Sequence, residues 1–315
     1  MFNFDNQLLK DYAQCQAAGI ARHVFHLRSK SEKIAADIGN AYHRALEEHF
    51  RGQPKRTVVA RFEDEYNKVI PPQEQPEEDR FARANCIKIM ERYCDVRPVS
   101  SMPFEPIEFE MVKGAALDDS GQYVFWAKRD MLVRDKQSGT MMPLDHKTTG
   151  SLNQWWSSTF RMNSQMSGYC WITGRQYKQA VAQCYVNGLQ ISKLPDSLKK
   201  CPVHKVKYIE CSMEHATFQL YRYDRSPEML EKWRTDALLL AKQAEALAML
   251  YSDIRALPYA LRDGAFRDHC RFCEFKDWCR MDFAPSAVEQ FCVYEVWQVW
   301  KGGERIDVAP TTNGA

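Results

Sequence analysis

The sequence predicts an α/β fold, a mixed sheet flanked by helices, on three observations. Helical patterning fills most of the chain up to residue 95. Strand patterning then takes over in IEFEMVK, QYVFWAKRDMLV and TMMPLDHK, with DDSG and KQSG between them as hairpin turns. From residue 153 onward helical and strand patterns alternate again, the order of an α/β core inside helical decoration.

Taken in order, residues 4–28 read as a helical entry segment containing Cys15. Residues 31–50 read as an amphipathic helix, because Ile34, Ile38, Tyr42, Leu46 and Phe50 recur every four residues. Residues 59–70 and 80–95 continue helical on either side of the polar, Pro-rich connector PPQEQPEED. The three-strand meander follows, then a helix over 153–174. AVAQCYVNGL, VHKVKYIEC and ATFQLYRY supply further strands. Ser226 and Pro227 suit the N-cap and first turn of a long helix running to about residue 255. VYEVWQVW, at 293–300, alternates enough for an edge strand and equally suits a partner-binding tail. The expected division is an N-terminal helical segment (1–30), a core with helical insertions (31–260) and a Cys-rich C-terminal region (261–315).

Composition bounds the function. A chain of 315 residues, 45% apolar, has enough apolar surface for a substantial core. The net charge of +2 gives no argument for a nucleic-acid partner, which must rest on local patches. No apolar run approaches a membrane span, and MFNFDNQLLKDYAQCQ lacks the pattern of a secretory signal. A reducing cytoplasm is therefore expected. There, eleven cysteines point to buried thiols or metal ligands rather than to a disulfide framework. No G-x-x-x-x-G-K-[ST] occurs, so the chain carries no P-loop motor of its own.

The chemistry concentrates in the meander. Asp130 follows an aromatic strand, and Asp145 and Lys147 end the next one. Two carboxylates on neighbouring strands can hold Mg²⁺ or Mn²⁺ against a phosphate. A lysine two residues on shares the second carboxylate's strand face, where it can orient water and offset phosphate charge. Taken singly, each acid could equally belong to a surface ion pair. His43 shares a helix face with Gly39 and Glu47; alone, it reads as a metal ligand, a phosphate contact or an ordinary surface histidine. Gln165 and Tyr169, four apart, form one hydrogen-bonding face, or else a half-buried polar pair. Basic residues mix with aromatics in FHLRSK (25–30), WWSSTFR (155–161) and GRQYK (174–178). Such runs suit single-stranded nucleic acid as well as a sheet–helix seam.

In that order, GNAYHRALE, AKRD, LDHKTTG and QMSGY resemble the motifs of the RecB-type PD-(D/E)XK nucleases, and the Cas4-like exonucleases in particular. The matching positions are Gly39, His43, Leu46, Glu47, Asp130, Asp145, Lys147, Thr148, Gln165 and Tyr169. Ala127 stands where the family usually has glycine, a departure that removes no ligand. The resemblance implies a restriction-endonuclease-like core and metal-dependent hydrolysis of single-stranded DNA or DNA ends. It implies a metal held by Asp130, Asp145, the His146 carbonyl and His43, with Glu110 as a further candidate ligand. The implied settings are repair, recombination, phage replication or CRISPR-type processing, in a bacterial, archaeal or phage-infected cell. A helicase, recombination or CRISPR adaptation partner would go with them. Rival readings are a catalytically silent DNA-binding or scaffold subunit and a zinc-stabilised interaction protein.

Cys270, Cys273 and Cys279 form a compact three-thiolate set in HCRFCEFKDWC. Four ligands are needed for a tetrahedral site or a cubane cluster. His269 or Cys292 would complete a zinc site. The resemblance instead implies a [4Fe–4S] cluster with Cys15, the only cysteine before residue 86, as fourth ligand. That cluster would close the C-terminal region onto the N-terminal helix. The remaining cysteines have no paired spacing and read as buried thiols.

Overall fold

The computed structural model describes residues 1–30, 34–71, 80–191, 205–206, 218–262 and 268–307, those at 268 and 269 without their side chains. Most of the connector PPQEQPEED and nearly all of the expected strand VHKVKYIEC lie outside the described residues.

The entry segment is not one helix. Strand β1 (Phe2–Asp5) comes first, and Asp5 then caps α1 (Asn6–Gln14) by accepting from the Leu8 amide at 2.9 Å. Cys15, in extended backbone, separates α1 from α2 (Gln16–His23), and β2 (Leu27–Ser29) follows. The apolar stripe on α3 (Ile34–Phe50) is buried as the periodicity predicts: Ile38, Tyr42, Leu46 and Phe50 are all in the core. Helices α4 (Lys55–Val69) and α5 (Arg83–Val96) cover it, and Tyr42 Oη donates to the Cys86 carbonyl at 2.9 Å.

The meander is β3 (Phe104–Ala116), β4 (Tyr123–Asp135) and β5 (Met141–Thr149), antiparallel throughout. The single helix expected over 153–174 divides into α6 (Gln154–Ser158) and α7 (Ser164–Tyr177). Asn153 and Asn163 each accept a hydrogen bond from a first-turn amide, so two N-caps start two helices. Strands β6 (Gln183–Gln190) and β7 (Phe218–Asp224) lead to α8 (Pro227–Leu250), which the Ser226 hydroxyl caps through the Met229 amide. The C-terminal region holds α9 (Asp268–Arg271), α10 (Lys276–Arg280), α11 (Val288–Phe291), β8 (Cys292–Tyr294) and β9 (Glu304–Arg305).

The main sheet runs β7-β6-β5-β4-β3-β9, with β1 added parallel beside β4, making seven strands. Strands β5 and β6 pair in parallel, joined by a crossover through α6 and α7. One face packs against α3, α4 and α5. The other packs against α1, α2, α7, α8 and the C-terminal residues Phe275, Trp278 and Phe283. A separate antiparallel pair, β2 with β8, joins the two ends of the chain. Of VYEVWQVW only its first two residues lie in a strand, β8, whose partner is β2 rather than the main sheet. Among the described residues no helix is long and apolar enough to cross a membrane.

Candidate active site

The central strand β4 has two neighbours on one edge. β1 pairs with Tyr123–Trp126 and β5 with Met131–Arg134, so residues 127–130 have neither beside them. Asp130 lies in this fork. Asp145 follows Leu144, the last residue of β5 registered against β4. The backbone amide of His146 donates to Asp130 Oδ2 at 2.8 Å across the opening. The strand also turns over here. Phe125 and Ala127 belong to the α7 core, whereas Met131 and Val133 belong to the α3 core. Unbroken two-residue alternation would keep all four on one face. Opposite Asp130 in the β3 ladder, Glu110 has a left-handed φ of 48°, which marks the twist.

The two carboxyls have opposite electrostatics. Asp145 is almost fully buried, and burial together with Asp130 pushes its pKa up to about 6 against the pull of Lys147. Its Oδ2 pairs with Lys147 Nζ at 2.6 Å. Burial also works against charge on Asp130, but His43, His146 and Lys147 hold its carboxyl well below the usual range. His43 Nδ1 stands 3.4 Å from Asp130 Oδ2. Burial opposes the charge on His43 and on Lys147, and the two aspartates outweigh it, raising both pKa values. The His146 ring stacks on Phe50 at 5.6 Å, its Nδ1 meets Asn187 Nδ2 at 2.9 Å, and burial lowers its pKa to about 3. The ring also lies edge to face against His43 at 5.8 Å, so His146 borders the site through both its ring and its backbone.

The sequence matches the PD-(D/E)XK nuclease superfamily over residues 7–280, most of the chain. The protein belongs to that superfamily. Membership makes it a nuclease by family, with the divalent-metal use and DNA binding that go with it. The mixed sheet between helical layers is of the restriction-endonuclease-like type. No curated protein matches the sequence.

Other expected residues of this PD-(D/E)XK chain take less direct places. Gln165 Nε2 donates to Tyr169 Oη at 2.8 Å, and Tyr169 donates to the Lys128 carbonyl inside the fork. The pair therefore bonds to itself and to β4. The Glu110 carboxylate is held by Lys128 at 2.7 Å and Arg44 at 3.2 Å, and Glu47 by Arg51 at 2.7 Å. Two supporting residues left no pattern in the sequence. Arg129, fully buried, donates to Thr173 Oγ1 at 2.6 Å and Gln176 Oε1 at 2.5 Å, tying β4 to α7. Gly168 lets α7 lie directly on the sheet: a Cβ there would come within 2.6 Å of the Phe125 ring. A cavity of about 220 Å³ at the far end of α7, lined by Trp171, Arg175, Gln179 and Arg225, includes none of the expected site residues.

The four expected cluster cysteines come from opposite ends of the chain and are electrostatic neighbours, without being gathered to ligating distance. Burial raises the Cys273 and Cys279 thiols, and Cys15 and Cys270 add to it as electrostatic neighbours of both. An Arg22–Glu274 ion pair and the Ala17 amide on the Leu261 carbonyl, at 3.2 Å, hold the two ends together. Cys292 sits in the β8 ladder opposite Ser29, with Lys30 rather than a thiol as its electrostatic neighbour. The His269 side chain lies outside the described residues. Among the described residues no group of three or more His, Cys, Asp or Glu is placed to hold a metal ion.

Proposed function

We propose that this PD-(D/E)XK protein is a Mg²⁺- or Mn²⁺-dependent deoxyribonuclease, an exonuclease acting on single strands or DNA ends. The fork carries the reading: two carboxylates and a lysine meet where the sheet opens. The buried Asp145 carboxylate, whose Oδ2 meets the Lys147 ammonium, is a hard oxygen donor suited to a divalent cation. Asp130, Asp145 and His43 would hold the metal, with the His146 carbonyl as a further oxygen. Bound there, the metal supplies Lewis-acid polarisation of the phosphate and a lowered pKa for the attacking water. Lys147, kept cationic by the two aspartates, offsets charge on the phosphate and orients that water. His146 N–H fixes Asp130, and Tyr169 with Gln165 fixes the strand that carries it. These are positioning residues.

Cys15, Cys270, Cys273 and Cys279 supply a soft four-thiolate donor set suited to a [4Fe–4S] cluster of structural role. The protein would act in the cytoplasm, in repair, recombination, phage replication or CRISPR-type processing. Without a P-loop, it would rely on a helicase or adaptation partner for any motor. End-labelled single- and double-stranded DNA, digested with Mg²⁺ and with Mn²⁺, tests the central reading. Wild type should shorten the label, and Asp145→Ala should not. Equal digestion by both proteins overturns the assignment.

A further inference from the structure

Between Lys147 and Gln165 the chain passes through α6, and its two adjacent tryptophans have different fates. Trp156 is an anchor. It packs edge to face on Phe160 at 4.8 Å and against Tyr221 at 5.8 Å. Its ring also covers Gly188, where a Cβ would meet it at 3.0 Å. Gly188 is the β6 register partner of Lys147. Register partners on neighbouring strands face the same side, so Trp156 stands one strand away from the Lys147 side chain. Trp155, beside it, is 77% exposed. That is unusual for tryptophan, which is mostly buried on average.

The backbone under Trp155 is stiff. Asn153 Oδ1 accepts from the Trp156 amide at 2.8 Å. The hydroxyls of Ser157, Ser158 and Thr159 donate to the carbonyls of Gln154, Trp155 and Trp156 at 3.0, 2.7 and 2.7 Å. Tyr223 Oη donates to the Ser157 carbonyl at 2.7 Å, fastening the turn to β7. Two exposed arginines lie along the same stretch of surface chain. Arg161 is exposed, and the exposed Arg80 lies so close to Gly150 that a Cβ there would come within 2.6 Å of Nη1.

We propose that Trp155 is a stacking platform for an unpaired nucleobase of the strand delivered to Asp130, Asp145 and Lys147. The substrate class is therefore single-stranded or frayed DNA; this deepens the nuclease reading and rests on it. A base inside a duplex has both faces covered by its neighbours, so a fixed indole can cover only a base that has left the stack. Packing does not account for Trp155, because Trp156 already does that work. Arg161 and Arg80, both exposed, are cations suited to phosphates of such a strand.

The test is binding of a short fluorescein-labelled oligothymidine and of a matched duplex in EDTA, with cleavage in Mn²⁺ measured separately. Trp155→Ala should weaken single-strand binding about 5- to 100-fold and leave duplex binding unchanged, while Trp155→Phe stays within about 2-fold of wild type. In cleavage, KM for single strands should rise more than kcat falls. Trp156→Ala serves as the folding control and should lower the melting midpoint, which Trp155→Ala should not. Unchanged single-strand binding in Trp155→Ala, or an equal loss on duplex, overturns the proposal and leaves Trp155 to a protein contact or to none. Should wild type bind single strands through Trp155 yet cut nothing, the nuclease reading fails and the platform stands. Should wild type cut DNA while Trp155→Ala binds and cuts equally well, the platform alone fails.

Discussion

Asp145 is where proton and cation compete. In the metal-free protein its pKa is raised from 3.8 to about 6, mainly by burial. The folded chain thus keeps a proton that the unfolded chain has released. This group's stability contribution is complete below pH 3.8 and is lost as pH rises through about 6. In the proposed site a divalent cation would reverse the balance by binding the ionised form. The Mn²⁺-induced rise in melting midpoint should therefore be several degrees near pH 7.5 and small near pH 5. Equal rises at both would show that the cation does not bind through Asp145. Tyr169 offers a second test. Removing its hydroxyl leaves the Lys128 carbonyl unpaired, so Tyr169→Phe should cost about 1–3 kcal/mol by urea unfolding. It should lower activity with Mn²⁺ affinity by calorimetry nearly unchanged. A large loss of that affinity would make Tyr169 part of the metal site instead. Asp130, Asp145 and Lys147 were readable as candidates because a carboxylate and a carboxylate-x-lysine on neighbouring strands leave a pattern. They lie inside β4 and β5, however, rather than at the strand ends expected. That Glu110 is occupied by Arg44 and Lys128 was not readable, because both cations arrive through folding.

Helix α7 sets the depth of the site, since it carries Gln165 and Tyr169 across the sheet and is clamped by Arg129. Gly168→Ala should push it away from Phe125 and Trp233, costing about 1–3 kcal/mol and lowering activity more than the stability loss explains. Activity per folded molecule, after correction by thermal melting, checks this; a value equal to wild type refutes it. Thr173→Val should cost a similar amount, because it strips a partner from a buried guanidinium. The long periodic elements were readable: the stripe on α3 is a 3.6-residue pattern held for more than four turns. The break between α6 and α7 was not, although Asn163 stood at its start as a second N-cap. A helix of five residues is too short to show a period.

The whole molecule depends on joining its ends. Trp297 Nε1 donates to the Asp5 carboxylate at 2.8 Å, Arg28 pairs with Glu295 at 3.0 Å, and β2 lies against β8. Deleting residues 291–315 should therefore lower the melting midpoint and expose the α1–α2 side of the core to limited proteolysis. An unchanged midpoint would make these contacts ornamental. Cys15→Ser should lose iron, sulfide and much of the stability together, since a ligand bound only by the folded chain adds its binding energy to the fold. One zinc and no sulfide in the anaerobically purified wild type would sink the cluster. Cysteine spacing made the C-terminal trio visible. Strand β1, at four residues, was invisible because so few residues cannot display alternation, and β8 keeps only two residues of the edge strand expected over 293–300.

The placement of β1 also governs when the enzyme comes into being. Its partners on β4 are residues 123–126, and Asp5 at its end waits for Trp297. Synthesis at about 5–20 residues per second keeps the first segment without its last contacts for roughly a quarter of a minute to a minute. A ribosome that stalls or terminates early releases a chain whose central strand is built but whose ends are unfastened. Assembly of the nuclease is thus gated by synthesis reaching Trp297.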